Sequence, residues 1–370
     1  MSMDASATPP AASGPTTDVP LAFHGEGGEY FRIWIVNLAL TIVTLGIYSA
    51  WAKVRKLRYL YGSTTLAGSS FGYHAPPLKI LKGRIIAALL GATYFAATRY
   101  SPLATLAVIA LIGCAVPWLV VRSRMFAMRM SSWRGIRCGF QPDYAGAYGA
   151  FLGWSVLTLL TIGVLYPRAV RERLHFVVSR TRFGGTPFVC NPRTGRFYKT
   201  ALVALGLALL AITVIVMAIG AVVAAGVLAA KAKGVHVAPG AHGAHGPALW
   251  LAQGLGVLGY LVLFSVLHGY TQLRNLNELF GSTTLGPLRF NSRLRAHSLI
   301  GIYLTNALGI VFTLGLYTPW AQMRLARYRL GVTSVTAAGS LDEFAAAAES
   351  STAGAAGEEI SELFDVDFGF

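Results

Sequence analysis

Seven apolar runs, at residues 31–51, 83–98, 102–121, 144–166, 200–230, 248–270 and 298–319, constrain this chain more than any other feature. A helix needs roughly 20 apolar residues to cross the hydrocarbon of a bilayer, and these runs are of that order. In water the chain could not cover them. Apolar residues make up 54% of it, charged residues only 12%, and the mean hydropathy is +0.55. Soluble domains carry about 25% charged residues. The sequence therefore predicts an all-α fold, a polytopic helical membrane protein with small cytoplasmic β-like elements between its helices.

The charges are placed unevenly. Of 31 Lys and Arg, 27 fall in five segments: 52–84, 122–147, 167–199, 271–297 and 320–333. Eight of the 15 acidic residues lie in the last thirty positions. A net charge of +16 could mean a nucleic-acid partner, but here the basic segments flank apolar runs. That is the pattern of membrane orientation signals, so no nucleic acid is expected and the expected partner is the lipid bilayer with its anionic headgroups. Residues 1–20 are rich in Pro, Ala, Ser and Thr and lack an apolar core, so no cleavable signal is expected. The predicted organisation is a disordered tail at 1–22, a membrane domain at 23–335 and an Ala/Glu-rich acidic tail at 336–370.

Candidate chemistry is sparse. Cys114, Cys138 and Cys190 form no CxxC pair, so neither a disulfide framework nor a zinc site is expected. His242 and His245 stand three apart in a Gly/Ala-rich loop with His236. No carboxylate or cysteine accompanies them, and a spacer explains them better than a metal site. No phosphate loop, HExxH or nucleophile elbow occurs. No catalytic, cofactor or metal residue is assigned, and an enzyme is not expected.

The informative feature is self-similarity. Residues 37–65 and 306–334 match at a constant offset. Asn37 pairs with Asn306, Thr44-Leu45-Gly46 with Thr313-Leu314-Gly315, and Tyr48 with Tyr317. Trp51-Ala52 pairs with Trp320-Ala321, Arg55 with Arg324, Arg58-Tyr59 with Arg327-Tyr328, and Thr64 with Thr333. A weaker middle copy aligns Thr161 and Gly163 with Thr44 and Gly46, and sets Pro167 where Pro319 and Ala50 stand. It departs at Trp154, Leu165 and Glu172, which replace the Asn, the Tyr and the first Arg. A second element recurs as Trp133-Arg134-Gly135-Ile136-Arg137-Cys138-Gly139-Phe140 and Thr284-Leu285-Gly286-Pro287-Leu288-Arg289-Phe290.

The run Thr-Leu-Gly-x-Tyr-x-x-Trp-Ala-x-x-Arg, with its upstream Asn and the Trp-Arg-Gly-Ile-Arg segment, resembles the YjgN-like family of bacterial inner-membrane proteins (domain of unknown function 898). The likeness covers about residues 22–335. It implies a multi-pass protein of the bacterial inner membrane. It implies no substrate and no catalytic residue, because the family is defined by a domain of unknown function.

Physically, the motif breaks a helix. Gly tolerates positive φ and ends helices readily, and Thr318-Pro319 is a suitable start for the next one. Tyr and Trp suit a membrane–water interface, and the following helix carries Arg on a face suited to anionic headgroups. Two readings stay open at each break. One is an ordinary transmembrane helix end with an aromatic belt. The other is a re-entrant hairpin. Seven true spans would set the basic segments 122–147 and 167–199 on opposite sides, against the positive-inside rule. Re-entrant hairpins would leave four spans and all five basic segments cytoplasmic. Asn37 and Asn306 suit hydrogen bonds between helices. The expected role is structural, or lipid- and partner-binding, at the cytoplasmic face. The alternative is a transporter or channel that uses the Gly-broken helices.

Overall fold

The computed structural model of the protein describes residues 16–232 and 246–359. Strand β1 (Thr16–Phe23) leads into a broken helix, α1 (Gly27–Val43) and α2 (Ser49–Gly62), then strands β2 (Thr64–Leu66) and β3 (Ser69–Tyr73). Two long helices follow, α3 (Pro77–Tyr100) and α4 (Pro102–Arg129), then β4 (Ser131–Trp133) and β5 (Ile136–Phe140). The next connector is again broken: α5 (Tyr144–Ala147), a π turn (Tyr148–Gly153), α6 (Trp154–Leu160) and α7 (Tyr166–Ser179). Strands β6 (Thr181–Phe183) and β7 (Thr186–Cys190) precede the long helices α8 (Thr194–Ala232) and α9 (Gly246–Gly281). After β8 (Thr283–Leu285) and β9 (Leu288–Ser292) comes a third broken connector, α10 (Ala296–Phe312) and α11 (Thr318–Gly331). The chain ends with β10 (Thr333–Ala338) and α12 (Leu341–Glu359).

The expected all-α fold is wrong. All ten strands close into one antiparallel barrel, in the order β1-β10-β9-β8-β7-β6-β5-β4-β3-β2. The small β-like elements expected between the helices are strands, and with β1 and β10 they join into a single sheet. The tail boundaries shift accordingly. Residues 16–22 belong to β1, and residues 336–338 complete β10.

Five junctions build this barrel in the same way. Each strand that follows a helix opens on a hydroxyl residue that donates to the carbonyl four residues back. Thr64 donates to Leu60, Ser131 to Ala127, Thr181 to Val177, Thr283 to Leu279 and Thr333 to Arg329, over 2.6–2.8 Å. Orphan carbonyls at helix ends need such partners. The residue just past each returning strand donates its N–H to the helix end beside it: His24 to Ser63, His74 to Met130, Gln141 to Arg180, Asn191 to Ser282 and Arg293 to Val332. At the far end the hairpins turn in two residues. Ala67-Gly68 and Arg134-Gly135 have positive φ at both positions, the type I′ geometry that matches strand twist. Helix–strand junctions therefore gather at one end of the barrel and tight turns at the other.

Alternation fills the barrel. Leu66, Trp133, Ile136, Phe183, Leu285, Leu288 and Val335 share one core, with Phe71, Cys138, Phe188 and Phe290 packed against it. Ring centroids lie 6.3 Å apart for Phe71–Trp133, 5.9 Å for Trp133–Phe183 and 5.8 Å for Phe188–Phe290. The intervening residues face out, and many are polar. Arg137 and Arg289 are exposed, and Asn291, Thr336 and Asp18 are linked by hydrogen bonds. Strands of three to eight residues are shorter than the roughly 9–11 needed to span. A lipid-facing barrel also shows the opposite pattern, apolar outside. By strand length and surface pattern this barrel is not built to face lipid, and apolar side chains pack its interior. Burial pushes the Cys138 thiol up to about 11, which keeps it protonated at neutral pH. Maleimide at pH 7 is expected to modify Cys138 only after denaturation; reaction in the folded protein at the rate of a free thiol would contradict this packing.

Helix α12 follows at the turn end. Leu341, Phe344, Ala345 and Ala348, spaced as one helical stripe, join the barrel core. Phe344 stacks on Phe183 at 6.0 Å, and Asp342 pairs with Arg134 of the β4–β5 turn.

By contacts the chain forms two units. One holds the barrel with α1–α7 and α12; the other holds residues 193–277 and 294–322. Four helices are long and apolar enough to cross a membrane: Pro77–Tyr100, Pro102–Arg129, Thr194–Ala229 and Trp250–Gly281. Between the first two, Ser101 caps α4 by accepting from Ala104 N at 3.0 Å. In the second unit Gly259 lets α8 and α9 touch. A Cβ there would sit 2.8 Å from Ile215 Cγ1. Gly259→Leu should cost about 2 kcal/mol through overpacking. A thermal melt in detergent checks this, and an unchanged midpoint would refute it.

Candidate functional site

The three broken connectors carry the site predicted from the repeats. At each break the backbone is the same. Gly46 N donates to Thr41 O at 2.7 Å, Gly163 N to Thr158 O at 2.8 Å and Gly315 N to Ile310 O at 2.7 Å. This six-to-one bond is the Schellman closure of a helix end. Gly46, Gly163 and Gly315 have φ of +92°, +86° and +94°. Each threonine closes the loop with its hydroxyl. Thr44 donates to Leu40 O and accepts from Tyr48 N, at 2.7 and 2.9 Å. Thr161 donates to Leu157 O at 2.8 Å and accepts from Leu165 N at 3.3 Å. Thr313 donates to Gly309 O at 2.7 Å and accepts from Tyr317 N at 2.9 Å. Pro167 and Pro319 are buried in the first turns of α7 and α11.

The residue before each glycine is the one sequence reading passed over. Leu45, Ile162 and Leu314 have φ of 50°, 49° and 50°. The left-handed region costs a non-glycine residue roughly 1–2 kcal/mol, and a β-branched side chain there is an outlier. These side chains are also 94%, 95% and 94% exposed. Val43, Ile47, Leu160, Val164 and Phe312 beside them are exposed as well. Each break is thus a strained, wholly apolar tip. The signal was present in the sequence, since the middle position of Thr-x-Gly is a large apolar residue in every copy.

Beyond the tip the chain turns back on itself. In the first copy the Tyr59 hydroxyl donates to Glu29 Oε2 at 2.8 Å, and the Tyr59 ring stacks on Tyr30 at 5.5 Å. Nearer the tip Arg55 Nη1 reaches buried Asn37 Oδ1 at 3.5 Å and Tyr48 Oη at 3.2 Å. Tyr48 stacks on Trp51 at 6.0 Å, and Arg58 is exposed. The middle copy, which lacks the Asn, makes the equivalent cross-link with Arg173 Nη2 and Ser155 Oγ at 2.7 Å. In the third, buried Asn306 Nδ2 donates to Ala321 O at 3.2 Å, while its Oδ1 has no partner among the described residues. Tyr317 stacks on Trp320 at 6.1 Å. Arg324 and Arg327 are exposed on α11, and Arg327 Nη2 donates to Gly25 O at 2.8 Å. The structure gives Asn37 and Asn306 each a place within its own hairpin.

Among the described residues no three His, Cys, Asp or Glu side chains gather to hold a metal ion. His236, His242 and His245 lie outside the described residues.

Residues 18–363 match the family described as "Bacterial protein of unknown function (DUF898)". The chain is similar to the "Inner membrane protein YjgN" of Salmonella typhimurium, 28% identical over 146 residues, 39% of this chain and 37% of that protein. It is likewise similar to the protein of that name in Escherichia coli K12, 30% identical over 161 residues, 40% of this chain and 38% of that protein. The matched part therefore spans well under half the length of these relatives. No solved structure matches the chain.

Proposed function

The chain belongs to the DUF898 family of bacterial proteins of unknown function, and we propose that it is a lipid-engaging scaffold of the cytoplasmic membrane face. It is a multi-pass protein of the inner membrane, with four helices suited to crossing it. In this reading the barrel is the cytoplasmic platform, and the three broken connectors dip into one leaflet as re-entrant hairpins.

The exposed, left-handed apolar residue at each tip carries the reading. Strain at such a position points to function. In water a full-sized apolar side chain there gains nothing, and glycine or asparagine would relieve the backbone. In hydrocarbon, burying a Leu or Ile side chain is favourable by roughly 1.5–3 kcal/mol, which offsets the strain. Each connector also starts and ends at the junction end of one barrel, which fixes both its ends on the same side of a membrane. The filled lumen gives a solute no path through the barrel, which favours a platform over a channel.

Depth measurement tests this. A nitroxide on Leu45→Cys, in protein reconstituted into vesicles, should be relaxed by oxygen and shielded from an aqueous nickel chelate. A label open to the chelate would sink the hairpin reading. Flux of small solutes in proteoliposomes above that of empty vesicles would favour the transporter alternative instead.

A further inference from the structure

The packing of α2 on α3 leaves three cations without a counter-ion. Ala50 and Val54, with Leu57, pack against Ile80 and Leu81, and Gly83 is buried beside them. Lys53 and Lys56 stand next to Val54 and Leu57 on α2, and Arg84 lies one turn beyond Ile80 on α3. All three are half-buried, and none makes a hydrogen bond or ion pair among the described residues. Four acidic side chains of this unit are engaged elsewhere: Glu29 with Tyr59, Asp143 with Arg180, Glu172 with Arg168 and Arg171, and Asp342 with Arg134.

The charge that bears on Lys53 is that of Arg84. Burial and then this like charge pull the Lys53 ammonium below its usual range, and burial does the same to Lys56. A half-buried pair of like charges such as Lys53 and Arg84, with Lys56 one turn along α2, is unfavourable unless an anion joins it. Their level is suited to one. Lys53 sits about 8 Å along its helix from the tip, and Arg84 stands where the apolar part of α3 begins. Both are at the depth of phospholipid headgroups if the first hairpin is inserted.

The geometry points to a binding site for the phosphate of an anionic phospholipid, held between Lys53 and Lys56 of α2 and Arg84 of α3. It rests on the membrane reading of the first hairpin. Arginine and lysine together suit a phosphodiester, the guanidinium by paired hydrogen bonds and the ammonium as a point charge.

The test uses the full chain in zwitterionic detergent. It is titrated with short-chain phosphatidylglycerol, phosphatidylcholine or inorganic phosphate, and followed by native mass spectrometry and thermal melting. Phosphatidylglycerol should be retained and raise the melting midpoint; phosphatidylcholine and phosphate should do neither. Lys53→Gln with Arg84→Gln should weaken phosphatidylglycerol binding about tenfold or more, the loss of one charge-assisted contact or more. In lipid-free detergent the same variant should melt no lower than wild type, because a repulsion has been removed. Lys53→Arg with Arg84→Lys should keep binding, and Arg137→Gln on the barrel exterior should leave it unchanged. Undiminished binding by the double Gln variant overturns the site. So does an equal loss from Arg137→Gln. If the double variant does not fold, Arg84→Gln alone decides, and wild-type affinity there overturns the site. A full shift from inorganic phosphate overturns the lipid as ligand. Failure of the hairpin reading shows separately, as an aqueous label at Leu45→Cys.

Discussion

Cysteines introduced as Arg137→Cys and Val189→Cys should react with a membrane-impermeant maleimide at similar rates from the cytoplasmic side, and not from the periplasm. Both positions are exposed on the barrel exterior, on β5 and β7. They fall in the basic segments 122–147 and 167–199, which seven spans would separate by a membrane. The barrel forbids that separation. Strand β5 pairs with β6, and β6 with β7, so a sheet of backbone hydrogen bonds joins the two segments. Every connector between strands at the junction end must then cross the bilayer an even number of times. The experiment needs a background with Cys114, Cys138 and Cys190 replaced. Labelling of the two sites from opposite sides would remove both the barrel's closure and the four-span topology. An all-or-none difference is expected, since labelling across a sealed membrane is negligible.

The second large effect is a change of sign. Ile162→Asp relieves a β-branched residue at positive φ, for which aspartate is better suited. If the tip lay in water, the variant should be more stable by about 1 kcal/mol. If the tip lies in hydrocarbon, moving from isoleucine to aspartate costs up to about 3 kcal/mol at full depth, and the variant should be less stable. Leu45→Asp and Leu314→Asp should follow the same sign. Unfolding in bilayers compared with detergent reads the difference directly. Greater stability of these variants in bilayers would place the tips in water. A smaller effect of a different kind is expected at Gly46 and Gly315. Leucine there meets no neighbour but must adopt φ above +90°, so each should lose stability by strain alone.

The sequence made the helices legible and hid the sheet. Apolar runs announce themselves because the bilayer sets their length, and the Thr-x-Gly break was readable because glycine and a hydroxyl close the same local bond in every copy. The strands were too short for periodicity to speak. Thr64–Leu66 offers three residues, and its neighbours β1 and β3 come from opposite sides of it in the chain. Closure depends on partners hundreds of residues apart, such as Val19 with Val335, and no local window contains that. The docking of α12 on the barrel was hidden for a related reason. Two of the four residues Leu341, Phe344, Ala345 and Ala348 are alanine, a weak apolar signal until a barrel end is there to receive it. At the tips the reverse held. The strain on Leu45, Ile162 and Leu314 is invisible to composition, and the sequence treated their position as filler between a threonine and a glycine.

Strand β1 lies between β2 and β10. A ribosome delivers β1 before the other nine strands and β10 after them, when the four long apolar helices have already been made. For most of synthesis the first strand has one edge bare, and the sheet is an open strip growing outward from it. Closure then falls to the final strand. A chain cut short anywhere before residue 333 cannot seal its barrel and leaves two unsatisfied edges. The same arrangement makes the presence of β10 detectable in the fold itself, because only a product that includes it hides those edges from proteases and from other chains.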